Sequence, residues 1–351
     1  MSFKLGQYLI GPHHPPFIIA EMSGNHNQSL DRAFEIVEAA AKAGAHAIKL
    51  QTYTADTMTL NLREGDFVIR DPKSLWNNRN LYELYQEAHT PWEWHKPIFE
   101  KARSLNIIPF STPFDETAVD FLESLNAPFY KVASFEMTDL PLIKKIASTG
   151  KPMIVSTGMA SLAELEETVR TIRNAGCKDF VLLKCTSTYP ASPESTNITT
   201  IPHMREMFGC EVGLSDHTMG VGVAVASVAL GARVIEKHFT LKRSDGGVDS
   251  AFSLEPEELK QLVVETERAF LGLGRVTYGM SEVEKKSVQF RRSIYVVKDL
   301  KPGQAITRSD IRIIRPGFGL APKHLDDVIG KRVKDEVKQG TALSWSLLDS
   351  N

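Results

Sequence analysis

From residue 17 to residue 270, short apolar runs alternate with stretches whose apolar residues recur every three or four positions. Residues 17–20 (FIIA) read as a strand. Residues 30–43 place Ala33, Ile36, Val37 and Ala40 on one helical face, with Asp31 near the start and Gly44 as the stop. The same pairing recurs. Strands are predicted at 45–50, 107–111, 128–133, 153–156, 180–185, 212–214 and 234–236. Helices are predicted at 116–125, 140–148, 162–175, 198–207, 221–230 and 256–270. An irregular insertion, residues 52–80, follows the second strand, and helical stretches follow at 81–87 and 91–105. Pro91 suits a first helical turn, where its missing N–H is no loss.

Eight β-then-α units in one register predict an α/β fold, a (β/α)8 TIM barrel. The alternative is a doubly wound open sheet. Such a sheet that binds nucleotides carries a glycine-rich turn after its first strand, whereas this chain reads EMSGNHN from Glu21 to Asn27, with no GxGxxG. The alternation stops after Gly272. The expected organisation is a barrel domain over 1–275, a polar linker over 276–289 and a small β-rich domain over 290–351. In the last, a strand is expected at 293–297, short pieces at 306–310 and 320–328, and a β-like unit at 333–348.

Composition narrows the class. With 42% apolar and 24% charged residues, the 351-residue chain is that of an ordinary globular protein. A net charge of -2 gives no reason to expect a nucleic-acid or membrane partner. Three scattered cysteines, Cys177, Cys185 and Cys210, fit buried thiols in a reducing compartment. Residues 1–16 do not read as a signal peptide, and no run approaches the length of a membrane span, so a cytoplasmic protein is expected.

In a barrel of this kind the active site lies at the C-terminal strand ends. Those ends carry Glu21; Lys49 and Gln51; Ser111 and Thr112; Lys131, Ser134 and Glu136; Ser156, Thr157 and Gly158; Lys184, Ser187 and Tyr189; Ser215, Asp216 and His217; Glu236, His238 and Asp249. Two lysines, several hydroxyls and a glycine turn at one mouth suit an oxyanion such as phosphate. Alternatively Lys49 and Lys131, inside the apolar runs AIKL and FYKVA, each pair with a structural carboxylate.

His217 and His238 end two neighbouring strands. They could hold one divalent metal with open positions for water and substrate, or they could be hydrogen-bonded core histidines. His26 is a lesser candidate; His46 begins a strand, His95 sits in a helix, and the remaining histidines fall in loops, at the surface or in the proline-rich start. Glu21, Glu236 and Asp249 are candidate acids or bases. Trp76, Tyr82, Tyr85, Trp92 and Trp94 read as packing residues.

These strand ends resemble the sialic acid synthase family along nearly the whole chain. The motifs are IAE-x-x-x-NHN from Ile19, IKLQTY from Ile48, STPFD from Ser111, YKVASFE from Tyr130, STGM from Ser156, KCTSTYP from Lys184, GLSDHT from Gly213 and IEKHFTL from Ile235. In the tail, FRRS from Phe290 and IRPGFGL from Ile314 resemble the family's antifreeze-like (SAF) domain. The resemblance implies condensation of phosphoenolpyruvate with an open-chain N-acetylated sugar aldehyde and release of phosphate by C–O cleavage. The stretches AEMSGNHNQSLDRA, EAHTPWEWH and KCTSTYPA fit the branch whose sugar is 2,4-diacetamido-2,4,6-trideoxy-L-altrose. Other branches run the same chemistry on other acetamido sugars.

The resemblance also implies roles. A divalent metal, commonly Mn with Mg or Co possible, is held by His217 and His238 and polarises the aldehyde; a carboxylate such as Glu21 could then take the attacking water's proton or stabilise the charge at the pyruvyl C2. Lys49, Thr112, Lys131, Ser134, Ser156, Ser187 and Ser215 hold phosphoenolpyruvate. Gln51, Tyr189, Glu236 and Asp249 match sugar contacts, and Arg315 matches an arginine that reaches the partner's site in a domain-swapped homodimer. Ser187 stands where other branches carry asparagine, and its shorter side chain leaves a direct phosphate contact open. Two other classes remain at this point: a metal-free Schiff-base aldolase using Lys131 or Lys184, and a non-catalytic sugar-binding scaffold.

Overall fold

The computed structural model describes residues 2–72 and 74–349, and the chain divides into two units, Met1–Gly274 and Arg275–Asn351. The chain starts with a hairpin that the sequence pattern did not predict, β1 (Phe3–Leu5) paired antiparallel with β2 (Tyr8–Ile10). Three-residue strands are too short for a two-residue period to declare itself.

Eight parallel strands then close into a barrel, so the open-sheet alternative is excluded. They are β3 (Phe17–Glu21), β4 (Ala47–Thr52), β5 (Ile108–Pro113), β6 (Tyr130–Val132), β7 (Met153–Ser156), β8 (Phe180–Cys185), β9 (Glu211–Ser215) and β10 (Val234–His238). The last strand pairs with the first: Val234 lies opposite Phe17, and His238 opposite Glu21. The crossover helices form where the apolar spacing predicts them: α1 (Leu30–Ala43), then, past the insertion's α2 (Ala55–Met58) and α3 (Leu81–Ala88), α4 (Trp92–Ser104), α5 (Glu116–Ser124), α6 (Leu140–Ala147), α7 (Leu162–Asn174), α8 (Thr200–Phe208), α9 (Gly222–Ala229) and α10 (Pro256–Leu273). Ser29 caps α1 by accepting from the Arg32 N–H, and Gly44 ends it with φ 91°.

Alternation along each strand sorts the residues. Outward positions such as Ile18, Ala20, Ile48, Leu50, Val132 and Val155 join the helices in one apolar cluster. Inward positions fill the barrel interior in layers. Phe17, Ile19, Ala47, Phe110, Phe129, Ile154, Val181, Leu183 and Val234 form an apolar lower half, and the hairpin inserts Leu5 and Ile10 into the same cluster. A Cβ at inward-facing Gly213 would lie 2.0 Å from the Val234 carbonyl oxygen, so glycine is required there. One step higher on the same inward face come Glu21, Lys49, Lys131, Ser156, Cys185, Ser215, Glu236 and His238. The apolar half carries a polar layer at the C-terminal mouth.

In the second unit, β11 (Ser293–Val296) pairs antiparallel with β12 (Ile311–Ile314). Ile294, Val296, Leu300, Ile306, Ile311, Val328, Val333 and Leu343 form a separate core, to which the short helix α11 (Leu325–Val328) contributes. The short piece expected at 306–310 is a turn, closed by the Thr307 N–H donating to Asp310 Oδ2 at 2.9 Å, and the strand β12 follows it. No helix among the described residues is long and apolar enough to cross a membrane.

Candidate active site

The polar layer opens into a cavity of about 320 Å3 at the C-terminal end of the barrel. Its floor is four buried charges. Lys49 Nζ lies 2.8 Å from Glu21 Oε2 and 3.6 Å from Glu236 Oε1, and Lys131 Nζ lies 3.7 Å from the same Glu236 oxygen. The lysines therefore do pair with carboxylates, and those carboxylates are themselves candidate site residues. Burial pushes Glu21 up and Glu236 adds to this, with Lys49 opposing; the net direction is up. Burial also acts on Glu236, but Lys131, Lys49 and His217 outweigh it and hold this carboxyl low. Glu236 is thus the ionised counter-charge, and Glu21 is the carboxylate better placed to take a proton.

Hydroxyls ring the lysines. Lys49 Nζ donates to Thr112 Oγ1 at 3.1 Å, Lys131 Nζ donates to Ser156 Oγ at 2.6 Å, and Ser215 Oγ donates to Glu236 Oε1 at 3.4 Å. The Gly158 N–H donates to Ser134 Oγ at 3.0 Å. A Cβ on Gly158 would fall 2.1 Å from Ser187 Oγ and 2.7 Å from Ser134 Oγ. The loop therefore closes around two hydroxyls and a backbone N–H beside Lys131, a concave donor set of the kind that cradles an oxyanion. Cys185, which the sequence reading left without a role, sits among them with Sγ 3.7 Å from Ser187 Oγ.

His217 and His238 face each other with ring centroids 5.4 Å apart. Tyr189 lies against His217 at 4.5 Å and Phe252 against His238 at 4.9 Å. His217 Nδ1 is 3.0 Å from the Thr186 carbonyl oxygen, a bond that fixes the ring and leaves Nε2 as the outward nitrogen. His238 Nδ1 is buried without a hydrogen-bond partner, 3.9 Å from Asp249 Oδ2. Burial, with His217 and three lysines nearby, keeps His238 neutral. A neutral imidazole with an unspent buried nitrogen beside a second imidazole fits a metal ligand pair better than a pair of core histidines. No group of three or more His, Cys, Asp or Glu among the described residues is arranged to hold a metal ion. Two protein nitrogens would leave the other positions of a coordination sphere to substrate and water.

The loop carrying His217 is fastened from outside the barrel. Lys237 Nζ reaches Asp216 Oδ2 at 3.0 Å and the Gly220 carbonyl at 2.9 Å, and both charged side chains are 1% exposed. Asp216 is therefore an anchor for the loop.

Asp249 accepts from Ser23, and Gln51 Nε2 donates to Glu21 Oε1 at 2.9 Å and to Ser23 Oγ at 3.4 Å, which brings Gln51 and Asp249 together; Glu236 stays in the floor with the lysines. His26 is elsewhere: Nε2 contacts Thr90 Oγ1 at 3.2 Å and Nδ1 accepts from the Gln28 N–H at 3.2 Å, so it is a satisfied structural histidine. Lys184 faces outward between Leu183 and Cys185 and donates to the Cys185 carbonyl at 2.8 Å, which removes it as a Schiff-base candidate. Arg315 is an exposed residue of the second unit.

The aromatics divide differently from expectation. Trp92 stacks on Phe121 at 4.5 Å and is packing. Trp76 and Tyr85 line the cavity, with Ile69, Leu81 and Leu84 from the same insertion. Their spacing carries no pocket signal: Ile69 and Trp76 lie in a stretch without regular period, and the helical period of α3 does not distinguish a face turned to a cavity from one turned to the core.

Glu136, just beyond the cradle, is pushed up to about 7 by burial, with Asp139 adding to the push and Lys131 and Lys49 opposing it. A carboxyl that stays protonated when folded and ionises at its ordinary 4.5 when unfolded binds an extra proton in the folded state. Its contribution to stability therefore falls as pH rises from 4.5 towards 7. The Glu136→Gln variant should gain on the parent in thermal midpoint between about pH 5 and about pH 8. A midpoint difference that does not change over that window would count against it.

The barrel and its mouth thus define a (β/α)8 protein whose C-terminal end brings two buried lysines, several hydroxyls and a histidine pair together. A family model described as "NeuB family" matches residues 36–278, a SAF-domain model matches residues 291–349, and the chain belongs to the NeuB family. It is 44% identical over 332 residues to the pseudaminic acid synthase of Helicobacter pylori, covering 94% of this chain and 97% of that one. It is 45% identical over 327 residues to the pseudaminic acid synthase of Campylobacter jejuni, covering 93% of this chain and 95% of that one. Among solved structures it is similar to the N-acetylneuraminic acid synthetase of Leptospira borgpetersenii in complex with citrate, with TM-score 0.73, 31% identity, and coverage of 83% of this chain and 96% of that one.

Proposed function

We propose that this chain is a synthase that condenses phosphoenolpyruvate with open-chain 2,4-diacetamido-2,4,6-trideoxy-L-altrose to give pseudaminic acid and phosphate. The observation that carries it is one mouth holding both a lysine–serine–glycine cradle and a facing histidine pair. Identity of 44% and 45% to two pseudaminic acid synthases supports the choice of sugar.

In this reading Lys49 and Lys131, with Thr112, Ser134, Ser156, Ser215 and the Gly158 N–H, hold the phosphate and carboxylate of phosphoenolpyruvate. Ser187 completes the cradle beside Gly158. His217 and His238 would hold a divalent metal, Mn by preference, and that ion supplies Lewis-acid polarisation of the aldehyde oxygen. Gln51, Tyr189, Asp249 and Glu236 orient the sugar. The alkene carbon attacks the aldehyde carbon, the C=O π electrons move to an oxygen that takes up a proton, positive charge develops at the pyruvyl C2, and water adds there. Glu21 takes the water's proton, its raised proton affinity suiting a base rather than a fixed counter-ion. The C2–O bond then breaks and phosphate leaves.

The test is phosphate release from phosphoenolpyruvate with three sugars: the diacetamido-altrose, N-acetylmannosamine and the legionaminate precursor. One phosphate per diacetamido-altrose is expected, lost with chelator and restored by Mn. Release with N-acetylmannosamine alone would overturn the choice of sugar. Borohydride trapping of a pyruvate adduct on Lys131 would instead establish the aldolase. In the assembly proposed here, Arg315 reaches the site of a second copy, so the active protein should sediment as a dimer of 39.0 kDa chains. Full activity in a monomer would remove that role.

A further inference from the structure

The cavity has two chemically different ends, and the insertion between β4 and α4 makes the second one. The floor and cradle are charged or hydroxylic. Six other lining residues, Ile69, Trp76, Leu81, Leu84, Tyr85 and Val248, make up an apolar wall. The one indole N–H of this wall is already spent, since Trp76 Nε1 donates to the Val248 carbonyl at 3.1 Å. The Tyr85 ring stands edge-on to Tyr53 at 5.7 Å, which fixes its orientation and leaves its hydroxyl as the wall's free polar group. No charged side chain belongs to these six.

A sugar that presents its aldehyde at His217 and His238 must run its distal carbons away from the floor. The room for them is against this wall. We infer that the 52–88 segment is the specificity element of the site, and that Ile69, Leu81 and Leu84 select a sugar whose terminal carbon is a methyl group over one bearing a terminal hydroxyl. This rests on the synthase reading above and adds the physical basis of its substrate choice. A terminal hydroxyl held there loses its water and meets aliphatic carbon, whereas a methyl group is favoured by the same surface. An apolar pocket rejects a substrate that only adds a hydroxyl by about 100-fold.

The discriminating pair of substrates is the 2,4-diacetamido 6-deoxy sugar and its 6-hydroxy counterpart, compared by kcat/KM in the parent, Ile69→Thr and Leu81→Gln. Both positions are only half-buried, and both lie outside the barrel core. The parent should favour the 6-deoxy sugar by about 100-fold, and each variant should bring that ratio to about 10-fold or less with KM for phosphoenolpyruvate unchanged. An unchanged KM for phosphoenolpyruvate also certifies that the variant is folded. The inference is overturned if the variants keep the parent's ratio, or if the parent takes both sugars equally well. Phosphate release with neither sugar would overturn the synthase reading and this inference together, an outcome distinct from the other two.

Discussion

Lys131→Met should lower kcat/KM for phosphoenolpyruvate by about 1,000-fold or more, because it removes a desolvated charge from the point where an anion must bind. Lys131 is 2% exposed and its Nζ is held by Ser156 and Glu236. Its removal leaves Glu236 with Lys49 as its one neighbouring lysine, so the single variant should also lose stability; breaking one partner of a buried pair costs about 3–5 kcal/mol. The double variant Lys131→Met with Glu236→Gln separates the two effects. It restores charge balance in the floor, so stability should return while activity does not. Urea unfolding and phosphate release measure the two quantities independently. Retention of more than about a tenth of the parent kcat/KM by the single variant would show that the lysine is a structural counter-ion to Glu236.

His238→Ala should abolish synthase activity at a cost in stability confined to lost packing against Phe252 and His217. A structural histidine contributes through its hydrogen bonds, and the buried Nδ1 of this one makes none. Loss of aldehyde polarisation removes several kcal/mol of transition-state stabilisation, about 1,000-fold in rate. Mn binding, followed by water-proton relaxation in the absence of substrates, should weaken in parallel. His217→Ala should show the same two losses with a larger drop in thermal midpoint, since Nδ1 of His217 also ties the loop to the Thr186 carbonyl. Parent-like Mn binding in both variants would take the metal away from this pair.

How much of this the sequence carried depends on the periodicity of each part. The barrel was legible because eight apolar runs and their crossover helices keep period and order. The mouth followed from the rule about strand ends, and Lys49, Lys131, His217 and His238 could be read from it before any geometry. The hairpin could not, because Leu5 and Ile10 earn their place only by meeting a barrel floor assembled from distant residues. Trp76 reads as packing because its segment has no regular period, and Tyr85 because a helical period does not tell a face turned to a cavity from one turned to a core. Lys237 lies inside the IEKHFTL motif between Glu236 and His238, and the motif does not tell it apart from them; strand alternation turns it to the outer face, away from His238.

The closure of the barrel also orders events in time. His238 pairs in register with Glu21, and Asn25 donates to the Phe239 carbonyl across 214 residues of chain, so the site lies on the joint between the first strand and the last. A partly folded chain holding β3 to β9 has Lys49 and Glu21 in place but lacks Glu236 and His238. That joint is the contact of longest sequence separation in the barrel wall, the kind that forms late. Activity should therefore reappear after most helical signal during refolding, and a chain still emerging during synthesis has no catalytic competence until its last barrel strand arrives.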